Sequence, residues 1–430
     1  MAHAWPREPR SRLHRAAASG SVSKVKALLA SGLVDINGRD PAGNTPLVYA
    51  IKEHPRVVAT LLDAGADANV PNDSGATSLH WTAMLGQPRT AQMLIEAGAL
   101  LEVTDGCGCT PLQLAGEGGH AEVIRALVDA GANINSRSSL GETALYSAAY
   151  LGNVDATKEL LRANANPLLG TVSGAGETEV VRLPLDVAAQ HGHEGVVDEL
   201  LRLGIGACGA VGGDALLLAS KWQHLGTMAK LRDAGVVDNG GALITAASYD
   251  REESVKFLLR QKWAMGAHQD AYVNYGDKDG RTALFTAVVS ESPRIVRMLL
   301  DAGARCDSPG SGLLKGATAL GLTLRKLELM SPEEDRAKDR RRRLEGLRRL
   351  LLQVDAIYAV SWLWPSDARC IADATAAGDP TSSALRTLML PPRGRRREGM
   401  SCSRRALTAR LLRWAPVQLS FPHATARGTS

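Results

Sequence analysis

Apolar residues recur along this chain in short blocks with helical spacing. In one block Leu47, Ala50 and Ile51 fall at i, i+3 and i+4, one face of a short helix. In another, Val123, Ile124, Leu127 and Val128 fall at i, i+1, i+4 and i+5, an apolar stripe that faces one way. The blocks come in pairs. A polar break such as "GGH" at 118–120 or "HGH" at 191–193 separates the two members of a pair. "AG" follows the second block, with Gly131 placed to take a left-handed helix cap. Then comes D-x-x-G-x-T, a turn. The pattern predicts helix, turn, helix, turn.

The pairs repeat. "GNTPLVYA" at 43–50 returns as "GATSLHWTA" at 75–83, "GCTPLQLA" at 108–115 and "GETALYSAA" at 141–149, and the threonines stand at 45, 77, 110 and 143. Later copies read "GRTALFTAV" at 280–288 and "GATALGLTL" at 316–324. A second phrase runs in phase with the first: "LLDAGADAN" at 61–69, "LIEAGALLE" at 94–102, "LVDAGANIN" at 127–135 and "LLDAGARCD" at 299–307. Thr followed by Pro starts a helix, because the hydroxyl caps free N–H groups and proline suits the first helical position. Paired alanines, as in "YSAA" and "DVAA", let neighbouring helices approach closely.

Together the two phrases resemble the ankyrin repeat, which reads G-x-T-P-L-H-x-A-A, then G-H, then V-V-x-L-L, then G-A-x-x-N. Asp105, Gly108, Thr110, Pro111, Leu112, Ala115, Gly119, His120, Val123, Leu127, Gly131, Ala132 and Asn135 match it in a single copy. The resemblance implies an all-α fold, an ankyrin-repeat solenoid of stacked helix-turn-helix units joined by hairpin-like turns. About ten units are expected over residues 8–356, after a short lead at 1–7. They are degenerate over 183–265, with insertions near 167–181 and 261–275. The seventh and eighth copies lack the Thr-Pro start, so a looser or bent stack is expected there. The last copy is expected to have a long second helix ending in "LRRLLLQVDA". Residues 357–430 form a C-terminal extension rich in Arg, Pro, Ser and Ala, expected to be disordered from about 391.

Composition agrees with many small units rather than one aromatic core: 45% of residues are apolar, 4% are aromatic and 43 are glycine. Six scattered cysteines are too few for a disulfide scaffold, which points to a reducing intracellular setting. The N-terminal stretch "MAHAWPREPRSRLHR" has no apolar signal core. The best candidate span, "LLLQVDAIYAVSWLW", is broken by Gln353 and Asp355, so no membrane crossing is expected. Residues 391–430 hold nine Arg and one Glu, net +8, so the overall +5 leaves about −3 on the rest. Nucleic acid could therefore be met only through the basic tail.

"DGCGCTPLQLAGEGGH" at 105–120 holds metal-ligand residue types and five glycines. In register, Cys107 and Cys109 sit at variable turn-tip positions, while His120 follows the first helix. About nine helical residues, or roughly 13 Å, separate them, too far for one ion with bonds of about 2.0–2.3 Å. "GEGG" closes a helix instead of opening one, so it is not a phosphate loop. His193 of "HGHEGVVDEL" holds the slot of His120. No catalytic set, metal site or cofactor is expected. "RAKDRRRRLEGLRRLLL" at 336–352 reads as a solvated helix face with Leu344, Leu347 and Leu351 inward. A nuclear-import signal, alone or with "PRGRRREG" at 392–399, stays open.

The resemblance also implies where a partner protein would bind: on the turn tips and on the groove face of the first helices. The two residues before each G-H slot face that groove. Met84, Leu85, Tyr150, Leu151, Trp222 and Tyr249 stand out among them as partner-binding candidates. The competing reading is that these side chains only cover neighbouring units. The expected function is a non-catalytic scaffold or adaptor, monomeric, in the cytoplasm or the nucleus. The alternatives are a substrate receptor of a ubiquitin ligase, on a faint likeness in "SSALRTLMLPP" at 382–392, and a nucleic-acid binder acting through the basic tail.

Overall fold

The computed structural model describes residues 11–173, 180–204, 213–260, 269–305, 323 and 335–362. The described residues hold nine helix pairs. The first five are Arg12–Ala18 with Val22–Ala30, Pro46–Ile51 with Pro55–Asp63, Ser78–Leu85 with Pro88–Glu96, Pro111–Gly118 with Ala121–Asp129, and Ala144–Leu151 with Val154–Arg162. The next four are Pro184–His191 with Glu194–Leu201, Gly213–Trp222 with Leu225–Asp233, Gly241–Ser248 with Glu252–Arg260, and Ala283–Val289 with Pro293–Asp301. The chain divides into two units, residues 1–347 and 348–430. Of the second, the described residues are 348–362, all helical.

First helices stack on first helices and second on second, so each pair buries one side against the pair before and one against the pair after. The two helices of a pair are buried differently, and their sequences say why. Residues 111–116 of Pro111–Gly118 are all buried: five are small or apolar, and Gln113 is hydrogen-bonded to Thr110 and Glu142. Ala121–Asp129 buries only the stripe of Val123, Ile124 and Leu127, leaving Glu122, Arg125 and Asp129 outside. Each fully buried Leu or Ile is worth about 1.5–3 kcal/mol.

The turns between pairs are built from side-chain caps. Asp105 Oδ1 accepts the N–H groups of Cys107 and Cys109, both at 2.9 Å, and the Asp105 N–H donates to the Cys109 carbonyl at 3.0 Å. Asp40, Asn72 and Asp277 repeat this arrangement one or more pairs away. The Gly106 N–H reaches the Ser74 carbonyl of the preceding turn at 2.7 Å, so adjacent tips are tied edge to edge. Helix starts follow the Thr signal: Thr143 and Thr282 accept from the N–H groups of Tyr146 and Phe285, at 3.2 Å each.

Three places depart from the regular pattern. The insertion near 167–181 contains a short antiparallel strand pair, Thr171–Ser173 against Val180–Arg182, the one two-stranded sheet among the described residues. Its sequence carries no helical period. The insertion near 261–275 contains a short helix, Gln269–Val273. Tyr272 from that helix donates to Asp238 Oδ2 at 2.7 Å, while Asp238 Oδ1 accepts from the Gly240 and Ala242 N–H groups. Asp238 thus supplies the cap that the missing Thr-Pro would give to Gly241–Ser248. The seventh and eighth copies do form helix pairs, and Leu216, Ala219, Met228, Leu231, Leu243, Val255 and Leu258 are almost wholly buried.

The C-terminal helix, Asp335–Trp362, is longer than the expected ending at "LRRLLLQVDA". No glycine or proline stands between Arg348 and Trp364, so nothing in the sequence interrupts it. Leu344, Leu347 and Leu351 are buried as expected, and Arg340 grips the Glu291 carboxylate through Nε at 2.8 Å and Nη2 at 2.6 Å. Of the tenth copy's first helix only Thr323 is described. The lead at 1–7, "SSALRTLMLPP", "PRGRRREG" and the tail from 391 lie outside the described residues.

Candidate protein-binding surface

The residue after each polar break holds the unit before it. His120 Nε2 donates to the Met84 carbonyl at 3.1 Å. His54, His193 and His224 do the same for Ala18, Tyr150 and Gln190, at 3.0, 3.0 and 3.1 Å. Where histidine is absent, another donor serves: Asn153 reaches Gly116 and Glu117, and Arg251 Nε reaches Lys221 at 2.7 Å. These carbonyls lie at first-helix ends, where the helix supplies no partner. The ring also explains a glycine. Gly86 has φ +68°, and a Cβ there would lie 2.3 Å from His120 Nδ1. His120 is therefore structural, as its register implies. His120→Ala is expected to lower the free energy of urea unfolding by about 1 kcal/mol; an unchanged midpoint and slope would refute this role.

The cysteines also sit in this turn architecture. Both are half-buried, which differs from the freely exposed tips expected from their variability. The Asp105 cap draws the tip inward, and their backbone N–H groups, not their sulfurs, are its working parts. Burial, then the Asp105 and Glu117 carboxylates, pushes the Cys109 thiol up to about 12, so it stays protonated at neutral pH. Among the described residues no cluster of His, Cys, Asp and Glu could hold a metal ion.

The clamped helix ends carry the candidate residues. Tyr150, Leu151, Trp222 and Tyr249 are 47%, 50%, 49% and 48% exposed, while other exposed large side chains, such as Leu33, Leu100 and Leu140, lie in turns between pairs. Met84 and Leu85 are only half-buried, and exposed Glu117 and Gly118 of the fourth pair stand between them and Tyr150. The six residues therefore fall into two groups rather than one patch.

Two further residues join the larger group. The His191 ring meets Tyr150 edge-on, with centroids 4.8 Å apart, and stacks on His193 at 5.8 Å. Burial, then His193 and His224, holds His191 below its ordinary value, so it is neutral at pH 7. The Lys221 ammonium lies 4.4 Å from the Tyr249 ring centroid and 5.7 Å from that of Trp222, within cation–π range. Both residues occupy the groove register and were legible there, but polar letters drew no weight beside Trp and Tyr.

No described helix is long and apolar enough to cross a membrane. The chain matches a family model described as ankyrin repeats in three copies, over residues 13–105, 79–171 and 185–309. Those spans cover the Thr starts, the G-H slots and the capped turns whose geometry is given above. With all nine pairs built on that plan, the chain belongs to the ankyrin-repeat family.

Proposed function

We propose that this chain is a non-catalytic scaffold or adaptor that presents its first-helix ends and turn tips to a partner protein. Ankyrin repeats generally mediate protein–protein interaction, which supports the reading at its broadest. The observation that carries the finer reading is the half-exposed row Tyr150, Trp222 and Tyr249, with the Tyr150 carbonyl and the Lys221 carbonyl beside Trp222 held by His193 and Arg251 of the following units. Rigid aromatic side chains lose little entropy on binding and dominate interface energies. The chain acts as a monomer in the cytoplasm or nucleus, without a cofactor.

The test compares the natural chain with a Trp222→Ala, Tyr249→Ala double variant. Both side chains are about half exposed, so circular dichroism and the melting temperature are expected to stay the same. Proteins recovered with the natural chain in quantitative co-purification are expected to fall by at least about tenfold, as hot-spot losses of 2 kcal/mol or more imply. Equal recovery with an intact fold would overturn the proposed site.

A further inference from the structure

Among the described residues the first helix pair has a neighbouring pair on one side only: Arg12–Ala18 packs on Pro46–Ile51, and Val22–Ala30 on Pro55–Asp63. On the other side an open groove of about 600 Å³ runs between its two helices. Arg12, Arg15 and Ala16 stand at i, i+3 and i+4 of one helix, and Lys24, Ala27 and Leu28 repeat that spacing on the other, so each set shares a face. Buried Ala16 and half-buried Leu28 give the groove an apolar floor, and the three cations are exposed around it. An end unit needs a polar outer face to stay soluble, but that need is indifferent to sign. This face has one sign only. Val22–Ala30 is the only one of the nine second helices without Asp or Glu, and residues 11–34 hold four Arg or Lys and no acid. Arg12, Arg15 and Lys24 take part in none of the ion pairs among the described residues, whereas later pairs match charges across units, Arg125 with Glu159 and Lys230 with Asp198. Residues 1–10 bring Arg7 and Arg10 against Glu8, so the lead does not supply the missing acids.

The ligand that completes this face brings carboxylates or phosphates to the rim and apolar surface to the floor. The shape of the groove separates the anions that could do so. A lipid surface is met by apolar side chains that protrude, and here the apolar atoms are recessed. Single-stranded nucleic acid stacks its bases on aromatic side chains, and none lines the groove among the described residues. A protein helix fits, because this is the face that each later pair turns to the pair before it, and there helices already lie on it. We infer that the outer groove of the first pair takes an acidic, amphipathic helix of another protein, with its apolar stripe on Ala16 and Leu28 and its carboxylates on Arg12, Arg15 and Lys24. The groove shares no residue with the row Tyr150, Trp222 and Tyr249, so the two surfaces are tested separately.

The experiment selects binders from a displayed library of random peptides of about 20 residues, long enough for about five helical turns, with the full chain as bait. Selected peptides are measured by fluorescence anisotropy against the natural chain, an Arg12→Glu, Arg15→Glu variant, Ala27→Trp, and the Trp222→Ala, Tyr249→Ala variant. Arg12, Arg15 and Ala27 are exposed, so the fold is expected to persist, and circular dichroism of each variant checks it. One class of peptides is expected to carry Asp and Glu beside apolar residues at i, i+3, i+4 and i+7. These lose at least about tenfold in affinity on charge reversal and with Ala27→Trp, weaken as salt is added, and are indifferent to the loss of Trp222 and Tyr249. A central proline in such a peptide is expected to abolish binding, because it breaks a helix. The inference is overturned if no selected peptide responds to the charge reversal, if those that respond are not acidic, or if the central proline is tolerated. Phosphatidylserine vesicles and a single-stranded RNA are titrated in parallel. Tighter, reversal-sensitive binding of either than of every selected peptide overturns the protein helix as occupant.

Discussion

Leu127→Ala is expected to lower the unfolding free energy of the repeat array by about 3–5 kcal/mol, the largest single loss among surface-neutral substitutions. Leu127 is 0% exposed, in the second helix Ala121–Asp129. That helix packs on its own first helix and on the second helices Pro88–Glu96 and Val154–Arg162. Truncation removes transfer energy and leaves a cavity, because three packed elements cannot all close on it. The array adds a second effect. Stability in a stack of repeats is the sum of each unit and its two interfaces, and the fourth pair has a full set on either side. Weakening it divides the array, so unfolding by urea is expected to broaden and to lose two-state character. Leu13→Ala removes an equally buried leucine from the first pair, but the loss falls at one end and is expected to appear as local fraying. Val289→Ala, at a side chain 47% exposed, serves as the control and is expected to change stability by less than about 0.5 kcal/mol. A sharp, unshifted transition for Leu127→Ala would refute the account.

The repeat was legible because it is redundant. Thr45, Thr77, Thr110 and Thr143 announce helix starts, glycines announce ends, and each unit restates the other. That His120 belongs to the repeat followed from register, since His193 holds the same slot; its bond to the Met84 carbonyl needed the fold. What register could not show is what happens where the pattern lapses. Asp238 reads as an ordinary loop aspartate, and only the fold brings Tyr272 from an insertion onto its second oxygen. The strand pair at 171–182 is similar: three-residue strands have no periodicity to read, and pairing across a loop is a non-local event. The cysteines show the converse. Variability between copies suggested open surface, whereas a cap two residues away folds the tip over them. At the groove, sequence weighting favoured large apolar letters and so found Trp222 and Tyr249 without Lys221. Their contact depends on the offset between neighbouring units, and one unit read alone does not contain it.

Asp186→Asn is expected to stabilise the chain at neutral pH by up to about 3 kcal/mol and to flatten its stability between pH 4 and 6. Asp186 takes the position that His80 holds in the third pair and Gln113 in the fourth. Those two side chains each do two things. His80 Nδ1 accepts from the Thr77 N–H at 3.1 Å, and its Nε2 donates onward to the Cys109 carbonyl at 3.1 Å. Gln113 likewise accepts from the Thr110 N–H and donates to the Glu142 carbonyl. Asp186 keeps the first task, with Oδ2 accepting from the Leu183 N–H at 2.9 Å. An ionised carboxylate has no proton to give, so the second task fails. Oδ1 is buried with no hydrogen-bond partner, in a residue 2% exposed. Burial is the main reason its pKa rises from 3.8 to about 6. The Leu183 N–H works against the rise, the Asp214 carboxylate adds to it and Arg182 opposes it. The sign follows. Below about pH 4 the carboxyl is neutral folded or unfolded and costs nothing. As pH rises through 6 the folded state must hold a buried charge that the unfolded state holds freely in water. Stability is lost across that window, and a gap of about two pKa units corresponds to about 3 kcal/mol. Asparagine keeps the acceptor for Leu183, cannot ionise, and regains a donor where His80 and Gln113 have theirs. The measurement is urea unfolding of both chains at pH 4 and pH 7. Parallel pH dependence in the two would overturn the assignment, whereas curves that meet at pH 4 and separate by pH 7 would place the cost on this one carboxylate.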